Sequence, residues 1–168
     1  FYTGPAKRAL SRIYRGSGEF IVVIGGVYKA TYDDPHGKRI YIRAHAGDVV
    51  LWPAGVHETD ESEEGHPLRC IRIFLKWPHR PDWLPLMVHD AGHFLDMLAQ
   101  RLLLLSHDPT RPTARADEAN AYLAAMAAEF VDLARRYSDD LVAQVIRYTE
   151  EHIDQRIRLA DLADHVGL

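Results

Sequence analysis

The feature that most constrains the fold is a change of hydrophobic periodicity near Pro85. Before this position, short apolar or alternating segments end at turn residues, as β-strands do. After it, apolar residues recur every three or four positions, which is the spacing of an amphipathic helix. The sequence therefore predicts a mixed fold, with an all-β N-terminal part followed by helices.

The β part contains five predicted strands separated by turn signals. They cover residues 20–24, 27–32, 39–43, 49–52 and 69–77. Gly25-Gly26, between the first two, predicts a tight hairpin. Strands at this regular spacing favour a small sandwich or barrel.

The helical part contains three predicted helices and the start of a fourth. They cover residues 89–106, 113–137, 141–153 and 158–166. Ser138-Asp139-Asp140 is expected to cap the third helix. The apolar stripe of the second helix would suit a dimer contact, and packing against the β part would produce the same pattern.

The charge is unevenly distributed along the 168 residues. Residues 1–137 hold 17 basic and 17 acidic side chains, whereas residues 138–168 hold 3 and 7. Surfaces that bind nucleic acid are usually basic. We therefore expect that the chain as given does not bind DNA specifically by itself.

The single cysteine and the short apolar runs bear on location. Cys70 has no second cysteine for a disulfide or a CxxC metal site, and its apolar surroundings predict a buried side chain. No apolar run approaches the roughly 20 residues that cross a bilayer. The expectation is a cytoplasmic protein without a membrane partner.

Residues 47–57 have the pattern GDxxxxPxGxxH. This pattern resembles the second conserved motif of the cupin family, and Glu19 with Gly26 matches the Glu and Gly of the first. The resemblance implies a jelly-roll barrel. In metal-binding cupins, the residue at the position of His57 is a metal ligand at the barrel mouth.

The remaining ligand positions of the first cupin motif have diverged. They fall four and six residues before Glu19, where this chain has Arg15 and Ile13 instead of histidines. A catalytic metal commonly needs about three protein ligands, and a cationic Arg15 would oppose it. We therefore expect no metal, no cofactor and no enzymatic activity.

What remains at the barrel mouth is a candidate pocket for a small polar effector. The alternative is a closed core in which Glu19 pairs with Arg15, His57 is hydrogen-bonded at the rim and the aromatic side chains pack between elements. The candidate ligand-binding residues are Arg15, Glu19, Tyr41, Trp52, His57 and Trp77.

Two other groups are predicted to be ordinary surface features. His89 and His93 are four residues apart, but without a third ligand they indicate surface histidines on a helix. The acidic run of residues 58–64 indicates a solvated loop, since it lacks the pattern of a calcium-binding loop.

The last eleven residues are similar to the first half of a helix-turn-helix. Leu159 and Leu162 are expected on the inner face, Ala163 where helices approach closely, and Gly167 at the turn. With the helix before it, this stretch resembles the opening of the AraC/XylS DNA-binding domain. An amphipathic helix that ends at a glycine is the alternative.

The resemblance to AraC/XylS-type transcription regulators covers nearly the whole chain. It implies an effector-binding barrel (1–84), a helical linker and dimerisation region (85–137) and the start of a DNA-binding domain (138–168). It also implies a homodimer and DNA contact through residues that would follow Leu168. Two alternatives are a metal-dependent cupin enzyme, such as an oxygenase or isomerase, with a helical tail, and a regulator whose barrel only dimerises.

Overall fold

The computed structural model contains a β-sandwich with helices on one of its outer faces. It describes residues 2–3, 10–13, 17–33, 37, 39–54, 57–62, 65–76, 81, 83–107, 112–139, 141–153 and 155–165. The described strands are β1 (Tyr2–Thr3), β2 (Leu10–Ile13), β3 (Gly18–Gly25), β4 (Tyr28–Asp33), β5 (Arg39–Ala44), β6 (Asp48–Trp52), β7 (His57–Ser62), β8 (Arg69–Leu75) and β9 (Met87–His89). The described helices are α1 (Phe94–His107), α2 (Pro112–Asp139), α3 (Leu141–Glu151) and α4 (Leu159–His165).

The strands form two antiparallel sheets that face each other. Sheet A has the order β1-β8-β3-β6-β9, and sheet B has the order β2-β7-β4-β5. In the described residues each sheet is a separate hydrogen-bonded ladder with its own edge strands. The jelly-roll barrel expected from the sequence is therefore not closed, and the observed arrangement is an open two-sheet sandwich.

Sheet A is buried on both faces, because its side chains alternate between two apolar clusters. The helix-side cluster lies between sheet A and the helices, and its buried residues are Phe20, Val22, Val49, Leu51, Ile71, Leu84, Val88, Leu95, Leu98, Ala99, Met126, Phe130 and Ala134. The inter-sheet cluster lies between the sheets, and its buried residues are Ile21, Val23, Tyr28, Ala30, Tyr32, Ile42, Ala44, Val50, Trp52, Leu68 and Cys70.

The apolar stripe of α2 packs into the helix-side cluster. Met126 and Phe130 are fully buried there, and the Phe130 ring lies 5.4 Å from that of Phe20. The stripe thus packs against the β part, which was one of its two interpretations. Because α2 continues through Ser138 and Asp139, the capping segment expected before α3 is largely helical instead.

The predicted hairpin at Gly25-Gly26 is wrong. β3 belongs to sheet A and β4 to sheet B, so the chain crosses from one sheet to the other at Gly26. Gly26 has a φ of 74°, and a Cβ atom built on it would lie 2.3 Å from the Pro67 carbonyl oxygen. Only glycine fits this crossing without strain.

Helix α1 begins five residues later than expected. The chain first forms β9, which pairs with β6 and ends at His89, and the carboxylate of Asp90 then caps the helix. Asp90 Oδ1 accepts a hydrogen bond from the Phe94 amide (3.0 Å) and Oδ2 accepts one from the Asp96 amide (3.1 Å). His89 and His93 therefore do not share a helix face. The domain boundary at residue 84 stays a prediction, and β9 follows it.

The C-terminal helices match the predicted positions, but their packing differs in part. Leu159 has 83% of its surface exposed, so it does not lie on an inner face in the described part of the chain. Leu162 and Ala163 are half-buried, because α4 packs mainly against α3. Gly167 lies outside the described residues, and the helix-turn-helix stays a prediction.

No helix among the described residues combines the length and apolarity that crossing a membrane requires.

Candidate functional site

A network of charged side chains lies between the two sheets, and we call it the inter-sheet network. It consists of Glu19 on β3, Arg72 on β8 and Asp60 on β7. Arg72 Nε lies 3.6 Å from Glu19 Oε1, and Arg72 Nη2 donates a hydrogen bond to Asp60 Oδ2. The Glu19 side chain is fully buried, whereas Arg72 and Asp60 expose 12% and 9% of theirs.

The strand register explains how these groups meet. Arg72 is the cross-strand partner of Ile21 in sheet A, and Glu19 is two residues before Ile21 on the same face. Asp60 is the partner of the buried Ala30 in sheet B, so it faces sheet A. The pair between Arg72 and Asp60 therefore joins the two sheets.

Aromatic side chains surround the network and form a second polar link between the sheets. The Trp52 indole Nε1 donates a hydrogen bond of 2.9 Å to the Tyr28 hydroxyl oxygen. The Tyr32 ring meets Trp52 edge-on at 5.1 Å, and the Arg72 guanidinium lies 6.0 Å from the centre of the Tyr28 ring. Such a wall offers contact area and a few directed polar groups.

The inter-sheet network is not the arrangement that maximises stability. Removing charges from water is costly, and well-packed apolar residues in place of a buried ion pair are often as stable or more so. Three ionisable side chains gathered in an otherwise apolar interior are instead typical of functional sites. The network is therefore the candidate binding site.

The described residues do not fit a cupin metal centre. Ile13 on β2 is the cross-strand partner of His57 on β7, so an aliphatic residue lies opposite the one histidine that the cupin motif retains. The Arg72 guanidinium stands beside Glu19 and would repel a cation there. In the described ranges, no group of three or more His, Cys, Asp or Glu side chains is placed to hold a metal.

The structure brings together two of the predicted ligand-binding residues. Glu19 and Trp52 are cross-strand partners, and both are fully buried. Tyr41 lies on the other face of β5 from Ile42, and 71% of its surface is exposed.

Three further predicted residues fall outside what the structure describes. Arg15 and Trp77 lie outside the described residues, and for His57 only the backbone, at the start of β7, is described. Their assignment to the site stays a prediction, and so does the absence of a metal or cofactor.

Sequence reasoning missed Asp60, Arg72 and Tyr28. The acidic run was assigned to a solvated loop, but residues 57–62 form β7, which pairs on both sides and buries Asp60. A signal was present in β8, where Arg72 alternates with apolar residues on the face opposite Ile71 and Ile73. A lone charge in such a strand indicates a buried partner.

A second polar cluster surrounds the turn of the Gly47-Asp48 motif. Asp48 Oδ2 accepts a hydrogen bond of 2.7 Å from the His45 amide, and Asp48 Oδ1 lies 2.8 Å from His89 Nδ1. These contacts hold the turn that leads into β6. Burial of Glu150 on α3 raises the pKa of its carboxyl group, and the carboxylates of Asp48 and Glu151 raise it further.

Comparisons with known proteins give only distant matches. No protein family matches the sequence, and no curated protein matches it significantly. Among solved structures, the chain resembles an oxalate decarboxylase of Bacillus subtilis (20% identity, 39% of this chain, 18% of that chain, TM-score 0.35). It also resembles the vicilin of tomato, Solanum lycopersicum (22% identity, 40% of this chain, 18% of that chain, TM-score 0.37).

A third match is a protein of Bacillus halodurans (17% identity, 42% of this chain, 54% of that chain, TM-score 0.35). The oxalate decarboxylase and the vicilin are cupin-fold proteins, as the motif of residues 47–57 leads one to expect. The match spans less than a fifth of the length of these two chains.

The expectation that the chain has no enzymatic activity is contradicted by this comparison. The similar structures include oxalate decarboxylases, which are enzymes, so loss of two histidine ligand positions does not exclude catalysis on this fold. The physical reason is that one scaffold supports many chemistries, and a reaction is assigned from its site. At these TM-scores, the likeness assigns no reaction to this chain.

Proposed function

We propose that this chain is the ligand-sensing region of an AraC-type transcription regulator. Its cupin-like sandwich binds a small organic effector at the inter-sheet network, and its helices lead to a DNA-binding part. The observation that carries the proposal is the network itself, in which Arg72 contacts Glu19 of its own sheet and Asp60 of the facing sheet. A ligand that contacts this network interacts with both sheets at once.

The position of the network also offers a route from ligand to helices. β3 and β8 carry Glu19 and Arg72 on one face, and Phe20 and Ile71 in the helix-side cluster on the other. A close-packed interior transmits a displacement of such strands to the elements packed behind them. Effector binding can therefore bias the arrangement of α1 and α2, which is a coupling between separate sites.

The regulator part of the proposal rests on the C-terminal pattern. Residues 158–165 include α4, which follows α3 after a short polar link, as in the AraC/XylS opening described above. DNA would be bound through residues downstream of Leu168. The acidic balance of residues 138–168 agrees with a basic reading surface elsewhere.

A thermal-shift screen of sugars, amines and organic acids tests the proposal. A ligand at 100 times its Kd stabilises the folded protein by about 2.7 kcal/mol, which is readily measured. The shift should disappear in Arg72→Met. Arg39→Met is the matched control, since Arg39 forms an exposed ion pair with Asp33 on sheet B, and it should keep the shift.

Elemental analysis of the same protein separates the sensor from a metal-dependent cupin enzyme with a helical tail. One equivalent of a transition metal together with turnover would replace the sensor proposal with the enzyme. Failure of every ligand to stabilise the protein would favour a sandwich that only dimerises.

The homodimer is part of the proposal, and α1 offers the surface for it. The stripe of α2 is buried in the helix-side cluster, whereas Phe94, Met97 and Leu104 of α1 are 41%, 50% and 62% exposed. Their spacing places them along one side of the helix. Met97→Glu with Leu104→Glu should convert the dimer to a monomer in sedimentation equilibrium, while Val142→Glu, at an exposed apolar residue of α3, should not.

A further inference from the structure

We infer that the effector has a flat apolar ring and hydroxyl or ammonium donors, and that Phe74 on β8 receives its ring. This inference deepens the proposed function and rests on it. It concerns the edge of the inter-sheet network that reaches solvent, where Arg72, Asp60 and Phe74 come together.

Exposure shows which groups of the network a ligand can meet. Arg72 and Asp60 expose 12% and 9% of their side chains, whereas Glu19 exposes none. A molecule that approaches from solvent therefore contacts Arg72 and Asp60 first. Glu19 lies behind them, 3.6 Å from the Arg72 guanidinium.

Phe74 extends the same surface. It is two residues after Arg72 on β8, so both side chains lie on the face of sheet A that meets sheet B, about 7 Å apart along the strand. Its cross-strand partner is Glu19, yet 58% of its own surface is exposed. An aromatic ring at the open end of a buried polar network is a natural stacking surface for a ligand ring.

The chemistry of the network selects the polar part of the ligand. The two carboxylates together offer about eight lone-pair positions, whereas the Arg72 guanidinium has five N–H donors. These three side chains therefore accept more hydrogen bonds than they donate. An ammonium or hydroxyl group adds donors, whereas an anionic acid would meet two like charges at short range.

Three probes that share one ring test this inference: benzylamine, benzyl alcohol and benzoate. Their dissociation constants are measured by NMR titration with the whole chain. Benzylamine and benzyl alcohol should bind at least tenfold more tightly than benzoate. Asp60→Asn, which keeps the shape of the side chain, should reduce the preference of benzylamine over benzoate to less than threefold.

The role of Phe74 is tested with the same probes. Phe74→Ala should weaken benzylamine and benzyl alcohol about tenfold. Trp83→Ala is the matched control, because Trp83 is 53% exposed and contacts Arg135 of α2; it should leave both constants within twofold. Unfolding curves verify that each variant is folded.

The outcomes separate the inference from the proposed function. Tighter binding of benzoate, lost in Arg72→Met, overturns the ligand class and retains the sensor. Equal weakening by Phe74→Ala and Trp83→Ala overturns the role of Phe74. If none of the probes binds at 50-fold excess over protein, the inference fails, and the broader thermal-shift screen alone decides on the sensor.

Discussion

The two faces of sheet A contrast in composition although they belong to the same strands. The helix-side cluster is built from aliphatic residues, methionine and phenylalanine, with Phe20 and Phe130 fully buried. The other face carries Glu19 and Arg72 beside Trp52, and meets Asp60 and Tyr28 of sheet B. One interior is therefore apolar, and the other combines aromatic packing with charge.

This contrast teaches where stability and function separate. An apolar cluster stabilises by the area that it removes from water, at about 25 cal/mol per Å². The inter-sheet network adds cost for desolvation, which only good geometry or a ligand offsets. We therefore expect substitutions on the helix side to lower stability alone, and neutralising substitutions in the network to alter binding more than stability.

The largest expected effect is on the helix side. Phe130→Ala should lower the free energy of unfolding by about 3–5 kcal/mol, because it leaves a cavity against Phe20. Val142→Ala, at a residue that is 62% exposed on α3, should change it by about 0.5 kcal/mol or less. Urea denaturation measures both. Similar values for the two variants would mean that α2 does not complete the core.

The next effect concerns the network and sharpens the contrast. Arg72→Met should lower the free energy of unfolding by about 3 kcal/mol, since two carboxylates lose their cation in the interior. Adding Glu19→Gln and Asp60→Asn should restore most of that loss while effector binding stays absent. If the triple variant remained as unstable as Arg72→Met, the charges would serve stability rather than binding.

A smaller effect is expected where α1 meets the sandwich. Asp90→Ala should cost about 1 kcal/mol, because the Phe94 and Asp96 amides lose their acceptor at the helix start. Asp90→Asn keeps one side-chain oxygen and should lose less. Thermal unfolding compares the two, and equal losses would show that the negative charge, not the cap, is what matters.

The smallest effect is a pH dependence at the edge of sheet A. Burial and the carboxylates of Asp48 and Glu151 raise the pKa of Glu150, so the folded state favours its neutral form. That stability is present below its ordinary value of 4.5 and is lost as pH rises through the higher folded value. Glu150→Gln should therefore raise the Tm at pH 7, and the difference from wild type should vanish below about pH 4.5. A lower Tm for the variant at pH 7 would contradict this.

Much of the fold could be predicted because its signals are local. The alternation of Ile40 and Ile42 marks β5, and the stripe through Met126 and Phe130 marks α2. The buried environment of Cys70 was also predicted and is confirmed. In each case the pattern within one element reports which side meets the interior.

The errors arose where the partner is distant in the chain. Gly25-Gly26 has the chemistry of a turn, but local chemistry does not specify which sheet receives the next strand. Asp60 resembles its acidic neighbours, and only Arg72 on the opposite sheet explains its burial. The candidate site was therefore half predicted, through Glu19 and Trp52, while its cation and second carboxylate required the three-dimensional pairing.

The strand order of sheet A has a consequence for how the protein reaches its native state. None of the hydrogen-bonded neighbours in the described part of this sheet are consecutive in the chain, whereas β4 and β5 of sheet B are. Pairing of remote segments requires loop-closure entropy before contacts compensate it, and such topologies refold slowly. The hairpin of β4 and β5 is therefore expected to form earliest, and sheet A to assemble late, with its edges transiently open to aggregation.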